Sequence, residues 1–304
     1  MGTIRKIAVV GAGAVGGYYG AKLARAQDVS FLMRRDLQAV IDHGLSIESP
    51  EGDFQIKPVA AFADTTEIGP VDLVVIALKT TSNEALQSLI PPLLKPNTIL
   101  LTLQNGLGNE EFLHQHFPSQ PILGGLCFVC INRGEPGVIR HIAHGRVEMG
   151  EFTETTHLAE VAALFNSAGI DCRELPNLGL ARWRKLVWNV PFNGLSIAAD
   201  NLDTCQILDR PELVDRTRSL MREVIAAASA QGYQIDDDFV QSNIEGTRNM
   251  GAYQPSSLID YMAGNAVEVE AIWGEPLKRA RAHGVSMPEL EKLHLEIGEK
   301  IKNR

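Results

Sequence analysis

Apolar residues in the first part of the chain come in short unbroken runs. Residues 4–10 (IRKIAVV), 29–35 (VSFLMRR), 71–79 (VDLVVIALK), 98–106 (TILLTLQNG) and 121–131 (PILGGLCFVCI) have the length and texture of strands buried on both faces. Segments with helical spacing lie between most of them, at about 14–26, 82–90 and 109–116. This alternation predicts a parallel sheet covered by helices on both sides. Residues 145–151 (GRVEMGE) and 169–175 (GIDCREL) read as two further strands, with a helix at about 155–167. Beyond 175–179 (LPNLG) strand signals almost vanish, and helical patterns run through 181–198, 211–231, 236–248, 259–283 and 288–302. The change of texture places a domain boundary near Pro176, giving an α/β domain over 1–176 and an all-α domain over 177–304.

The first strand runs into VVGAGAVGG, where Gly11, Gly13 and Gly16 stand in the order GxGxxG. A strand before it and a helix after it are the context in which that spacing marks a Rossmann-type dinucleotide fold. Gly11 permits the tight turn, Gly13 lets the backbone approach a pyrophosphate, and Gly16 allows close packing of helix on sheet. Ala12, Ala14 and Val15 complete the loop, and the helix start offers N–H groups to the phosphates. An NAD site wants an acidic residue at the end of the second strand, but Met33, Arg34 and Arg35 stand there. Arginine holds a 2′-phosphate well, so NADP(H) is the expected cofactor, with Arg34 the expected contact and Arg35 its alternative. Asp36 reads as the N-cap of the next helix.

Composition narrows the classes further. The 304 residues are 45% hydrophobic and 21% charged, ordinary for a globular chain of two domains. A net charge of -9 speaks against nucleic acid as a partner. No run of 18 apolar residues occurs, and the chain start, MGTIRKIAVVGAG, lacks the pattern of a secretory leader, so a cytoplasmic protein without a membrane partner is expected. Cys127 and Cys130 form a CxxC within a predicted strand, where they point to opposite faces, and no second ligand pair is spaced for zinc. His141 and His144 read as loop or strand-end residues, and no metal site is expected.

The segment 184–193 (RKLVWNVPFN) sets Lys185, Asn189 and Asn193 four residues apart, hence on one face of a helix that is otherwise apolar. Pro191 and Gly194 threaten the last turn, so Asn193 is expected near the helix end. A second polar cluster, Ser256, Asp260 and Glu268, lies in residues 254–274 (QPSSLIDYMAGNAVEVEAIWG). Taken alone, Ser256 reads equally as a helix N-cap after Pro255.

Over nearly its whole length the chain resembles the ketopantoate reductases (2-dehydropantoate 2-reductases). The likeness rests on GAGAVGG, on ALKT with Lys79, on QNGLGN with Asn105, on RKLVWNVPFN and on PSSLIDYMAGNAVEVEAIWG. It implies an N-terminal Rossmann-type domain, a helical C-terminal domain and an active site in the cleft between them. It implies further that Lys185 is the catalytic general acid and that Asn105, Asn189, Asn193 and Ser256 bind the substrate. Lys79, Asn105 and Glu268 would touch the cofactor, Glu268 also standing beside the substrate hydroxyl. The reaction implied is the NADPH-dependent reduction of a small 2-keto acid, ketopantoate or a close relative, in pantothenate biosynthesis, by a chain that could pair as a homodimer. Three departures leave the substrate open: Gly194 stands where the family often has proline, ADNLDTC offers no secure match to a further substrate-contacting asparagine, and LCFVCINR (126–133) replaces a stretch rich in Thr or Ala. Two alternatives stand beside this reading. One is a 3-hydroxyacid dehydrogenase-like NADP enzyme, which also pairs a lysine with an asparagine four residues on. The other is a non-catalytic NADP(H)-sensing protein.

Overall fold

A computed structural model describes residues 4–304; the reading of the chain start as leaderless falls partly on residues 1–3, outside the described residues. The described chain divides into two compact units, one of residues up to Gln104 together with Asn109–Leu178, the other of Asn105–Gly108 together with Gly179–Arg304.

The first unit is built on a ten-stranded sheet: β1 (Lys6–Val10), β2 (Asp28–Leu32), β3 (Leu45–Glu48), β4 (Phe54–Ile56), β5 (Ala60–Phe62), β6 (Leu73–Ile76), β7 (Ile99–Thr102), β8 (Ile122–Arg133), β9 (Val138–Glu151) and β10 (Cys172–Glu174). Six neighbours, β5-β2-β1-β6-β7-β8, are parallel and reproduce the doubly wound nucleotide-binding order. Their side chains alternate between two cores. Ile7, Val9, Leu73, Val75, Ile99 and Leu101 enter one, with Tyr18, Tyr19 and Phe165 of the covering helices. Ala8, Val10, Val74, Ile76 and Leu100 enter the other, with Leu86, Ile90 and Leu113. Each buried Val, Leu or Ile contributes roughly 1.5–3 kcal/mol, so strands apolar at every position are most stable with both faces covered.

The sheet is mixed rather than wholly parallel. β8 and β9 form a long antiparallel hairpin with bulges at Phe128/Val129 and Cys130/Ile131, and β9 continues the sheet to β3 and β4. This extension curls around the Ala14–Ala24 helix: the Tyr18 ring lies 4.6 Å from that of His141 on β9, and Arg25 sits 5.2 Å over Phe54 on β4. His141 is therefore a buried strand residue, not a loop one; Ser49 Oγ lies 2.8 Å from its Nδ1 and the His144 carbonyl oxygen 2.8 Å from its Nε2. β3, β4 and β5 are only four, three and three residues long, too short for a periodic signal, and were not anticipated.

The second unit is helical, with helices Pro211–Ala230, Asp238–Arg248, Ser256–Met262, Glu275–Ala282 and Pro288–Lys302 packed with most of Leu178–Ala198 around a core that includes Trp183, Phe192, Leu220 and Trp273. Two expectations fail here. The helix expected over 259–283 is broken. Gly264 N–H bonds to the Tyr261 carbonyl and Asn265 N–H to that of Asp260, the paired bonds that close a helix at a glycine. A π-helical turn, Glu270–Gly274, then leads into Glu275–Ala282. Conversely, Asn193, expected near the helix end, lies inside it: the helix read over 181–198 runs through Pro191 to Ala198. Trp273 Nε1 donates to the Val190 carbonyl at 3.0 Å, adding a hydrogen bond where proline weakens the ladder. Gly194 leaves room for that indole, since a Cβ there would lie 2.9 Å from Trp273 Nε1 and 2.6 Å from Leu293.

Candidate active site

In the first unit β1 turns into the Ala14–Ala24 helix through the glycine loop. Gly11 has φ +99°, and a Cβ on it would lie 2.6 Å from the Leu78 nitrogen, beyond the end of β6. Any side chain there would push β1 and β6 apart at the point where strand order reverses, the crevice in which doubly wound sheets bind nucleotides. Gly16 presses on the Gly11 carbonyl, 2.2 Å from its own would-be Cβ, whereas a Cβ on Gly13 would meet nothing within 4 Å. That open backbone, followed by the N–H groups of Ala14, Val15 and Gly16 at a helix start, is a fit cradle for a pyrophosphate.

Beyond β2, Arg34 and Arg35 are exposed. Asp36 occupies the N-cap position of the Leu37–His43 helix but makes no side-chain cap; its carboxylate accepts from Arg133 Nη2 instead. A guanidinium offers a stronger, charge-assisted bond than a backbone N–H, so the expected cap is overridden.

Lys79 is exposed at the start of the Thr80–Ala85 turn of 3₁₀ helix, after β6. The loops after β6 and β7 are joined by amides. Gln104 Nε2 donates to the Leu78 carbonyl at 2.9 Å and to Asn83 Oδ1 at 2.7 Å, Asn83 Nδ2 donates to Asn109 Oδ1 at 3.1 Å, and Thr102 Oγ1 donates to Gln104 Oε1 at 2.9 Å. Of QNGLGN only Asn105 is expected from the sequence as a site residue, and Gln104 and Asn109 are added by the structure. Their signal was an amide on each side of two glycines at a strand end.

In the second unit the Leu178–Ala198 helix carries Lys185, Asn189 and Asn193, spanning ~12 Å along one side at 1.5 Å per residue. Lys185 is half-buried, while Asn189 and Asn193 are 7% and 2% exposed. Lys185 Nζ donates to Asn105 Oδ1 at 3.0 Å. Asn105 is held by its neighbours: Leu107 is buried in the helical core and its N–H donates to the Ala271 carbonyl at 3.0 Å. Gly106 has φ +82°, and a Cβ there would lie 2.3 Å from that same carbonyl oxygen. The π-helical turn thus grips the Asn105 loop through Ala271 and the lysine helix through Trp273.

Asn193 Oδ1 accepts from Ser257 N–H at 3.0 Å, serving an unpaired donor at the start of the Ser256–Met262 helix. Asn193 is therefore joined to the segment bearing Ser256. Ser256 is not an N-cap: Pro255 holds that position, and Ser256 is the first helical residue, exposed. Glu268 is 6% exposed in the loop before the π-helical turn.

The other candidates add no chemistry. Cys127 and Cys130 lie on β8 as unbridged cysteines, and burial, with Glu174 and Asp171 nearby, pushes the Cys172 thiol up to about 12, leaving it protonated and inert. Among the described residues no group of three or more His, Cys, Asp or Glu side chains could hold a metal, and no helix is long and apolar enough to cross a membrane.

Two family models match the chain, Ketopantoate reductase PanE/ApbA over residues 7–154 and Ketopantoate reductase PanE/ApbA C terminal over residues 177–300. A 2-dehydropantoate 2-reductase of Nostoc sp. is 41% identical over 96% of this chain and 94% of its own. The chain belongs to the ketopantoate reductase family. Membership makes it an oxidoreductase of the 2-dehydropantoate 2-reductase type. Among solved structures, the 2-dehydropantoate 2-reductase of Geobacter metallireducens superposes with a TM-score of 0.93 at 45% identity, over 97% of this chain and 99% of that one. The enzyme of that name from Methylococcus capsulatus gives 0.89 at 33% identity, over 97% and 96%. In this member of the family the departure at Gly194 has a local explanation: Leu293 and the Trp273 indole occupy the space a side chain would need.

Proposed function

We propose that the protein reduces 2-dehydropantoate to pantoate with NADPH, Lys185 acting as general acid. The carrying observation is the 3.0 Å bond from Lys185 Nζ to Asn105 Oδ1. Bound NADPH supplies the hydride. Negative charge then builds on the keto oxygen, and the Lys185 ammonium stabilises it and delivers the proton from Nζ, an effect worth ~10²–10⁴-fold. The Asn105 amide oxygen takes one of three ammonium protons and orients the rest. As a neutral acceptor it fixes the lysine without cancelling the charge the reaction needs.

Asn189 continues this polar face toward the substrate. Asn193, through Ser257, sets the start of the helix from which Ser256 binds the substrate carboxylate. Glu268 is assigned to the cofactor and the substrate hydroxyl. Gly11 to Gly16 cradle the pyrophosphate, Lys79 contacts the cofactor and Arg34 holds the 2′-phosphate. The substrate is tested by following NADPH oxidation over a panel of 2-keto acids: 2-dehydropantoate should have the highest kcat/KM, and a faster alternative would replace it in this reading.

Two variants test the assignments. Arg34→Ala should weaken NADPH binding and leave NADH binding nearly unchanged, since a hydrogen bond between charged groups is worth ~1.5–3 kcal/mol. Equal affinities of the unmodified enzyme for both cofactors would remove the assignment. Ser256→Ala should lower kcat/KM for the keto acid roughly 10- to 150-fold through KM, with Tm and NADPH affinity unchanged. The exposed, uncapped position of Ser256 removes the reason for a stability effect. A fall in Tm with wild-type KM would return Ser256 to a structural role.

A further inference from the structure

The corner beyond β2 holds a carboxylate where a 2′-phosphate binder should have none. Consecutive Cα atoms lie 3.8 Å apart, so Asp36 and Arg34 are separated by no more than about 7.6 Å between Cα atoms. A free carboxylate there would favour a ribose 2′-hydroxyl and repel a 2′-phosphate. Asp36 is not free. Arg133, the last residue of β8, donates from Nη2 to Asp36 Oδ2, with the two side chains 33% and 14% exposed. Among the described residues only Arg133 forms an ion pair with the Asp36 side chain or donates a hydrogen bond to it. Arg133 comes from LCFVCINR, one of the stretches in which the sequence departs from its family's pattern.

We infer that Arg133 is a specificity-determining residue: by pairing with Asp36 it silences the carboxylate two residues beyond Arg34 and so makes this corner select NADPH over NADH. The inference rests on the proposed NADPH reading. Its physical content is a charge balance. With the pair intact, the two exposed arginines act alone. Without Arg133 a full negative charge stands beside the arginines proposed to hold a doubly charged phosphate, and at a separation of roughly 7 Å the two would repel one another. In a water-like dielectric that weakens NADPH binding about five- to tenfold and leaves NADH, which lacks the phosphate, nearly untouched.

The test measures Kd for NADPH and NADH, by titration at low ionic strength, on the full-length enzyme and two variants. The unmodified enzyme should prefer NADPH; equal affinities would overturn the cofactor reading and this inference with it. Arg133→Gln should lower the NADPH preference about five- to tenfold, less at high salt, where exposed charges are screened. Asp36→Asn combined with Arg133→Gln should restore the preference, because the repelling charge is gone. A merely structural pair would alter both affinities alike and leave their ratio fixed. An unchanged ratio in Arg133→Gln, with the unmodified enzyme still preferring NADPH, overturns the inference alone. So does a double variant as weak as the single one, since Arg133 would then be touching the phosphate itself.

Discussion

Lys185→Ala should lower kcat by about 10²-fold or more, with the fold and NADPH affinity retained. Lys185 belongs to the helical unit, whereas the glycine loop and Arg34 belong to the other, so truncation removes no group assigned to the dinucleotide. The lysine is only half-buried, and water can take over as donor to Asn105 Oδ1. The stability cost should therefore stay within ~1–2 kcal/mol, that of one charged hydrogen bond partly replaced by water. Lys185→Arg should not restore turnover. Arginine stays charged at any working pH, so it can stabilise an oxyanion but is a poor proton donor, and its planar fork does not fit the site of an ammonium. Stopped-flow or steady-state NADPH oxidation reads the effect directly. Near-normal turnover by Lys185→Ala would end the general-acid assignment.

Gly106→Ala should cost about as much, although it removes no functional group. The residue has φ +82°, and its new methyl would lie 2.3 Å from the Ala271 carbonyl oxygen and 2.5 Å from its carbon. Neither backbone can yield without moving the loop that carries Asn105. A displacement of ~1 Å in a positioning group can cost ~10²-fold in rate. The strained backbone and the loss of the Leu107 N–H bond to Ala271 should remove ~1–3 kcal/mol of stability as well. The discriminating readout is kcat measured well below the variant's Tm, where the enzyme is fully folded. A wild-type kcat there, with only Tm lowered, would show that Asn105 need not be held in place.

Much of this was readable from the chain because the signals were local. β1, β6 and β7 are apolar at consecutive positions, and that pattern suits a strand covered on both sides. The spacing of Lys185, Asn189 and Asn193 predicted one helical face, and one helix contains all three. Misreadings arose where a distant partner overrode a local rule. Pro191 and Gly194 argue locally for a helix end, but the Trp273 indole supports the helix through them. Asp36 is a good cap by residue type, but a guanidinium from β8 claims it. The break near Gly264 was different. Its signal, glycine followed by asparagine after an apolar turn, was present and was overrun by a periodicity that continues on the far side. The link from Asn193 to Ser257 joins residues 64 positions apart, and no spacing rule reaches that far.

The affiliation of Asn105–Gly108 with the helical unit bears on how such a chain can be inherited. A crossover between two parent genes at the boundary after Leu178 looks clean, because each product keeps a complete sheet or a complete set of helices. Yet it would join the Gly106 loop of one parent to the Ala271 turn of the other. Leu107 would meet a core shaped for a different side chain, and a mismatch of a methylene or two in a packed interior costs ~1–3 kcal/mol. Recombination at that boundary should therefore yield chimeras of full stability only when the four-residue loop travels with the helices it serves, despite being encoded with the strands.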